Sequence, residues 1–229
     1  MTTIGDIVKD PAPAPLPQRQ TLQGRFVRIE PLDPVVHADA LYEGTHGDGR
    51  DELWRYLFEG PFPNRSSFDA HLHRQAASED PLFFAIVDKA SALAVGQAAY
   101  LRAEPVHKVI EVGHIIFTPE LQRTVAATEA MFLMAQHVFD LGYRRYEWKC
   151  NALNAPSLRA ARRLGFTFEG IFRQHMIVKG RNRDTAWFSM LDSEWPDRKA
   201  SFERWLDPDN FDQHGHQRVS LTELNGFTE

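Results

Sequence analysis

Few side chains in this sequence have the chemistry to move a proton or an acyl group. Cys150 is the single thiol. It acts as a nucleophile only where a base or a positive neighbour stabilises the thiolate. No motif around YEWKCNA supplies one, so a small buried core residue is the expected role. His114 lies three residues after Glu111 in EVGHIIFTP. An imidazole titrates in the range a general base needs. In a regular strand Glu111 and His114 face opposite sides, and only a bulge would bring them together. The pairs His71/His73 and His214/His216 lack a second matched cluster, so no metal site is expected. Arg144, Arg145, Arg159, Arg162 and Arg163 read either as a phosphate-attracting potential or as a solvated helix face.

The rest of the composition narrows the classes. With 229 residues the chain suits one domain with a full core, alone or with an extension. A formal charge of −5 argues against nucleic acid as the main partner and slightly favours a cationic one through steering. One cysteine precludes an internal disulfide, and the reducing cytoplasm is the expected location. The N-terminus does not read as a signal peptide, and no apolar run reaches the ~20 residues that span a bilayer.

The elements that must hold these residues follow from periodicity. Residues 1–20 read as an extended arm rich in proline, with KDPAPAPLPQRQ at its end. TLQGRFVRIEPL reads as a strand. Val35–Gly44 reads as a short helix, and a second helix starts at Ser66 or Ser67 as N-cap. Three strands follow: PLFFAIVDK, ALAVGQAAYLRAE and HKVIEVGHIIFTP. Glu120–Leu141 reads as the longest helix, stopped by Gly142. YRRYEWKCNA is a strand with Tyr146, Trp148 and Cys150 on one face. Asn154–Leu164 is a helix between an Asn cap and Gly165. FTFEGIFRQHMIV and TAWFSMLD are strands around a turn at Lys179–Arg183. Ser193 caps a helix carrying Trp195, Phe202, Trp205 and Leu206. The expected class is α/β: a mixed sheet of about seven strands flanked by helices.

Three segments then carry a family resemblance: EVGHIIFTPELQRTVAATEA, NALNAPSLRAARRLGFTFEGIFR and GRNRDTAWFSMLDSEW. In this order, across Val109–Trp195, the chain resembles the GNAT superfamily of N-acetyltransferases, closest to the branch of ribosomal-protein N-terminal acetyltransferases. The resemblance implies the GNAT fold, with a V-shaped splay between two parallel strands, a domain over residues 21–195, and a helical extension and tail over 196–229. It implies acetyl-CoA as cosubstrate and an amine as acceptor, either a small molecule or a peptide or protein N-terminus. Nucleic acid and membrane partners are not expected; a homodimer is compatible with the arm or the extension as contacts. The alternative is a non-catalytic acyl-CoA-binding or regulatory module.

The resemblance also distributes roles. Glu111–Phe117 would be the strand that meets the pantetheine arm, with Ile115, Ile116 and Phe117 as contacts and an N–H near Ile115 or Ile116 for the oxyanion. The pyrophosphate would sit on Gln122, Arg123, Thr124, Val125, Ala126, Ala127 and Thr128, at a helix start. Val125 replaces the usual glycine of that loop, and still offers its N–H if its backbone is helical. Glu111 is the favoured base, with His114 second. The position that often holds a tyrosine acid is Arg162. Asn154 and Ser157 match the ribosomal branch: Asn154 to bind an amide, Ser157 to meet the sulfur. The early helices (residues 35–78), with Trp54, Arg55, Tyr56, Phe58 and Phe62, and the turn at residues 179–184, with Asp184, would shape the acceptor side.

Overall fold

The computed structural model describes residues 5–226; the outer ends of the arm (1–4) and tail (227–229) lie outside it. Eight strands form one sheet in the order β1-β2-β3-β4-β5-β6-β8-β7. They are β1 (Leu22–Gln23), β2 (Val27–Pro31), β3 (Leu82–Asp88), β4 (Ala94–Glu104), β5 (Val109–Phe117), β6 (Arg145–Asn151), β7 (Thr167–Val178) and β8 (Arg181–Leu191). The expected first strand is two. The carboxylate of Glu129 accepts the N–H groups of Arg25, Phe26 and Val27; residues 24–26 leave the ladder and β2 begins at Val27. Only β5 and β6 run parallel; every other pair is antiparallel.

Alternation divides the sheet into two faces. Ile29, Tyr100, Ile110, Tyr146 and Phe188, all almost fully buried, pack beneath α3 (Val125–Asp140) and α5 (Trp195–Leu206). Trp195 stacks on Phe139 with centroids 4.8 Å apart, so the extension shares this core. On the other face Phe83, Ala85 and Ala99 meet Leu41, Phe68 and Leu72 from α1 (Pro34–Thr45) and α2 (Arg65–Ala77). Trp54 and Phe62 join that second core, which resolves part of the aromatic run as packing.

Several helix starts differ from expectation. The N-cap of α2 is Asn64, whose side chain accepts the N–H of Ser67, rather than Ser66 or Ser67. α3 begins at Val125, not Glu120, because Thr124 caps it through the N–H of Ala127 and the preceding residues form a turn. α5 begins after Glu194 with no side-chain cap, and Ser193 does not serve. α4 (Ala155–Arg163) is capped by Asn154, as read. Gly165 follows it at φ +94°, a left-handed position that suits a residue without Cβ. The β7–β8 turn is only Lys179–Gly180, so Arg183 belongs to a strand. The arm lies on the folded chain: the N–H of Ala14 donates to the Pro105 carbonyl at 3.1 Å, and Lys108 holds Asp10. Among the described residues no helix is long and apolar enough to cross a membrane.

Candidate active site

β5 and β6 are paired for only part of their length. Their register runs from Val109↔Arg145 to Val112↔Trp148 and stops, although β5 continues to Phe117 and β6 to Asn151. Beyond that point the strands diverge around a cleft of about 2010 Å³. A bulge in β5 marks the divergence. Gly113 pairs with Ala99 and Ile116 with Gln97, so one strand advances three residues while the other advances two. His114 takes up the extra residue at φ +50°. Its ring meets Phe83 edge-on at 5.1 Å and Phe58 at 5.6 Å, on the same sheet face as Glu111. The condition set by the sequence, that only a bulge could unite Glu111 and His114, is therefore met.

The two groups sit in different electrostatic settings. Glu111 is buried and ion-paired with Arg102 and, at 3.2 Å, with Lys149. Lys149 pairs with Glu147 at 2.5 Å, Glu147 with Arg145, and Arg145 with Glu169. This ladder joins three cations to three carboxylates. His114 has no such commitment. Burial pushes its imidazole below the usual histidine range; the nearby His71 and Arg183 push the same way and Glu59 opposes. A neutral imidazole can accept a proton at physiological pH.

The helix-start loop supplies the other pole of the cleft. Arg123 stands at φ +62°, the Gln122 side-chain amide donates to the Phe117 carbonyl, and Thr124 caps the helix. Val125 is the first helical residue, so its N–H has no intrahelical acceptor and points out of the helix end. Arg163 donates to the Thr128 hydroxyl at 3.1 Å, which sets a cation beside the helix start. Of the residues read for this site, Glu111, His114, Ile115, Ile116, Phe117, Gln122–Val125, Ala127, Thr128, Asn154 and Ser157 line the cleft. Ala126 instead packs against the core.

At the far wall, the Asn154 side-chain Oδ1 accepts the Ser157 N–H at 3.2 Å. The Ser157 hydroxyl accepts from Trp148 Nε1 at 3.0 Å, which leaves its own O–H to donate. Cys150 is buried, and burial pushes its thiol up. That is the reverse of an activated nucleophile. Tyr56 O–H donates to the Leu153 carbonyl, and Lys179 Nζ donates to the Trp54 carbonyl at 2.8 Å, tying the loop after α1 to both rims. Asp184 is spent on the hairpin, accepting from Gln174 N–H and Asn182. Arg183, Thr185 and His175 complete this side, with His175 3.0 Å from the Thr185 hydroxyl. Arg183 falls within the 179–184 stretch expected on the acceptor side but was not singled out there, and the sequence reading missed Thr185 and His175. Among the described residues no group of three His, Cys, Asp or Glu could hold a metal.

A sequence model of the family described as acetyltransferase (GNAT) domain matches residues 27–167. This chain belongs to the GNAT acetyltransferase family. A GCN5-related N-acetyltransferase from Brucella melitensis is 50% identical, over 96% of this chain and 100% of that one, with a TM-score of 0.93. A GNAT-family protein from Chromobacterium violaceum is 41% identical over 86% and 98%, TM-score 0.79. An acetyl transferase from Salmonella typhimurium that modifies the N-terminal serine of ribosomal protein L7/L12 shares the fold at 18% identity, TM-score 0.65, over 75% and 99%. No curated protein matches the chain significantly. The opened seam and the capped helix start are thus features of a GNAT-family chain, and Val125 is the first residue of the helix α3.

Proposed function

We propose that this chain transfers the acetyl group of acetyl-CoA directly to an amine within a ternary complex. The observation that carries the reading is the opened β5–β6 seam. It sets unpartnered strand edges, a helix N-terminus and a neutral histidine around one cleft. The cleft fits acetyl-CoA on those grounds: the Val125 N–H at the start of α3 with Arg163 for phosphate, and the edge of β5 from Gly113 to Phe117 for the amide-bearing arm. When bound, acetyl-CoA supplies an activated acyl carbon; the net reaction forms one C–N bond and breaks one C–S bond. His114 takes the proton released by the amine nitrogen. The backbone of Ile115 or Ile116 donates to the carbonyl oxygen as charge builds there. Ser157 Oγ–H donates toward the departing sulfur, a role Arg162 cannot take as an exposed, permanently charged side chain. Glu111 positions Lys149 and Arg102 and is not the base, since both cations already engage it.

Thiol release from acetyl-CoA across an amine panel tests this. Turnover is expected, and His114→Gln should lower kcat/KM roughly 10²- to 10³-fold. With one amine throughout, the wild-type kcat/KM should fall as pH drops through the His114 pKa. That inflection lies below the ~6.5 of a free histidine, because its protonated form is disfavoured. The variant should lose that limb. Acetyl-CoA stabilisation without turnover on any amine would point instead to a binding module. An acetylated enzyme trapped without acceptor would refute direct transfer.

A further inference from the structure

Arg183 lines the acceptor wall and has no carboxylate ion-pair partner among the described residues. It is 7% exposed, and its Nε is buried with no hydrogen-bond partner among the described residues. Its guanidinium lies 5.0 Å from the centroid of the exposed Phe58 ring and lines the cleft. The neighbouring ladder is balanced: Arg102, Lys149 and Arg145 are matched by Glu111, Glu147 and Glu169. Arg183 therefore adds one positive charge that no ion pair offsets. Burying an unpaired charge costs several kcal/mol in real proteins. A fold tolerates that where a ligand supplies the counter-charge. Phosphate recognition does not account for it. The start of α3 lies across the sheet and has Arg163 beside Thr128, whereas Arg183 shares its side with Phe58 and His175.

We infer that the acceptor amine carries a carboxylate and that Arg183 receives it. The inference rests on the acetyl-transfer reading above and names its substrate class: a small amino carboxylic acid. A planar guanidinium suits a carboxylate, which it can grip with two parallel hydrogen bonds. The loop bearing Tyr56 and Phe58 is tied to both rims through Leu153 and Lys179, which narrows the route to Arg183 and favours a small acceptor over a protein terminus. His114 lines the same cleft as Arg183, whose positive charge helps hold the imidazole below the usual histidine range. One molecule can thus meet both, with its amine at the histidine and its carboxylate at the arginine. The overall charge of −5 suggests a cationic acceptor; the local charge of this wall points the other way.

The test compares amines matched except for the carboxylate: leucine with isoamylamine, phenylalanine with phenethylamine, and 4-aminobutyrate with butylamine. Two readouts are taken on the full chain: kcat/KM with acetyl-CoA, and binding by calorimetry with unreactive coenzyme A present. At least one carboxylated member should exceed its partner on the order of 10- to 100-fold, the range one charge-assisted pair supplies. Arg183→Gln should bring that ratio toward one while retaining stabilisation by acetyl-CoA, and Arg183→Lys should restore part of it. Equal turnover within every pair would overturn the inference and leave the acetyltransferase reading intact. Absence of turnover on any amine would sink that reading. Binding then decides alone: Arg183-dependent preference for the carboxylate supports the inference, and equal binding overturns it. Acetylation of acidic peptides without any of the free amino acids would also overturn it. If the variants do not fold, the wild-type ratios still decide.

Discussion

The two halves of the β5–β6 seam use the same strands and behave oppositely. From Val109 to Val112, β5 is in register with β6, and Ile110 and Val112 are buried against Tyr146 and Trp148 in one core. From Gly113 to Phe117 the register is gone, an extra residue is accommodated, and five successive positions line a cleft. The first half is held by apolar burial, worth about 25 cal/mol per Å² removed from water. The second half keeps its direction only because the first is fixed. A sheet can therefore offer an edge to a ligand from its interior, provided the strands are locked below the opening.

The largest test of that division is Ile110→Ala. It should cost about 3 kcal/mol of stability in urea denaturation, as a buried aliphatic truncation does, without changing KM in the folded fraction. Glu111→Gln, at the boundary, should cost roughly 2 kcal/mol. Lys149 keeps Glu147 and the half-exposed Arg102 reaches water, so the loss stays below that of a fully stranded pair. Val125→Pro should weaken acetyl-CoA binding about tenfold by calorimetry, with the thermal midpoint almost unchanged. Proline at the first helical position removes only an N–H that the helix does not use, and the extended Thr124 (φ −99°, ψ 165°) can precede it. Ile115→Ala should cost only roughly 1 kcal/mol of stability, with KM for acetyl-CoA raised. If Ile115→Ala destabilised as much as Ile110→Ala, the seam would not be divided as described.

What the sequence discloses tracks the range of the forces involved. The strands, α4 between Asn154 and Gly165, and the single face of Tyr146, Trp148 and Cys150 are local patterns, and they were legible. The start of α3 was misjudged because Glu120 to Thr124 are compatible with a helix, and only the Thr124 cap excludes them. The split of the first strand depends on Glu129, more than a hundred residues away. The bulge at His114 could be stated only as a condition, because a register shift belongs to two strands at once. Arg183 was hidden for a similar reason. GRNRDT looks like a turn, and nothing local tells that its second arginine is buried without a partner.

Glu129 has a mechanical consequence. One carboxylate accepts three successive backbone N–H groups, from Arg25 at 2.7 Å, Phe26 at 2.6 Å and Val27 at 3.0 Å. It projects from α3 one turn beyond the helix start that faces the cleft. The helix is thus moored to the opposite edge of the sheet before any anion arrives. On the proposed reading an incoming phosphate would meet a helix start that cannot recoil, since the reorganisation a loosely held helix would require is already complete when the chain folds.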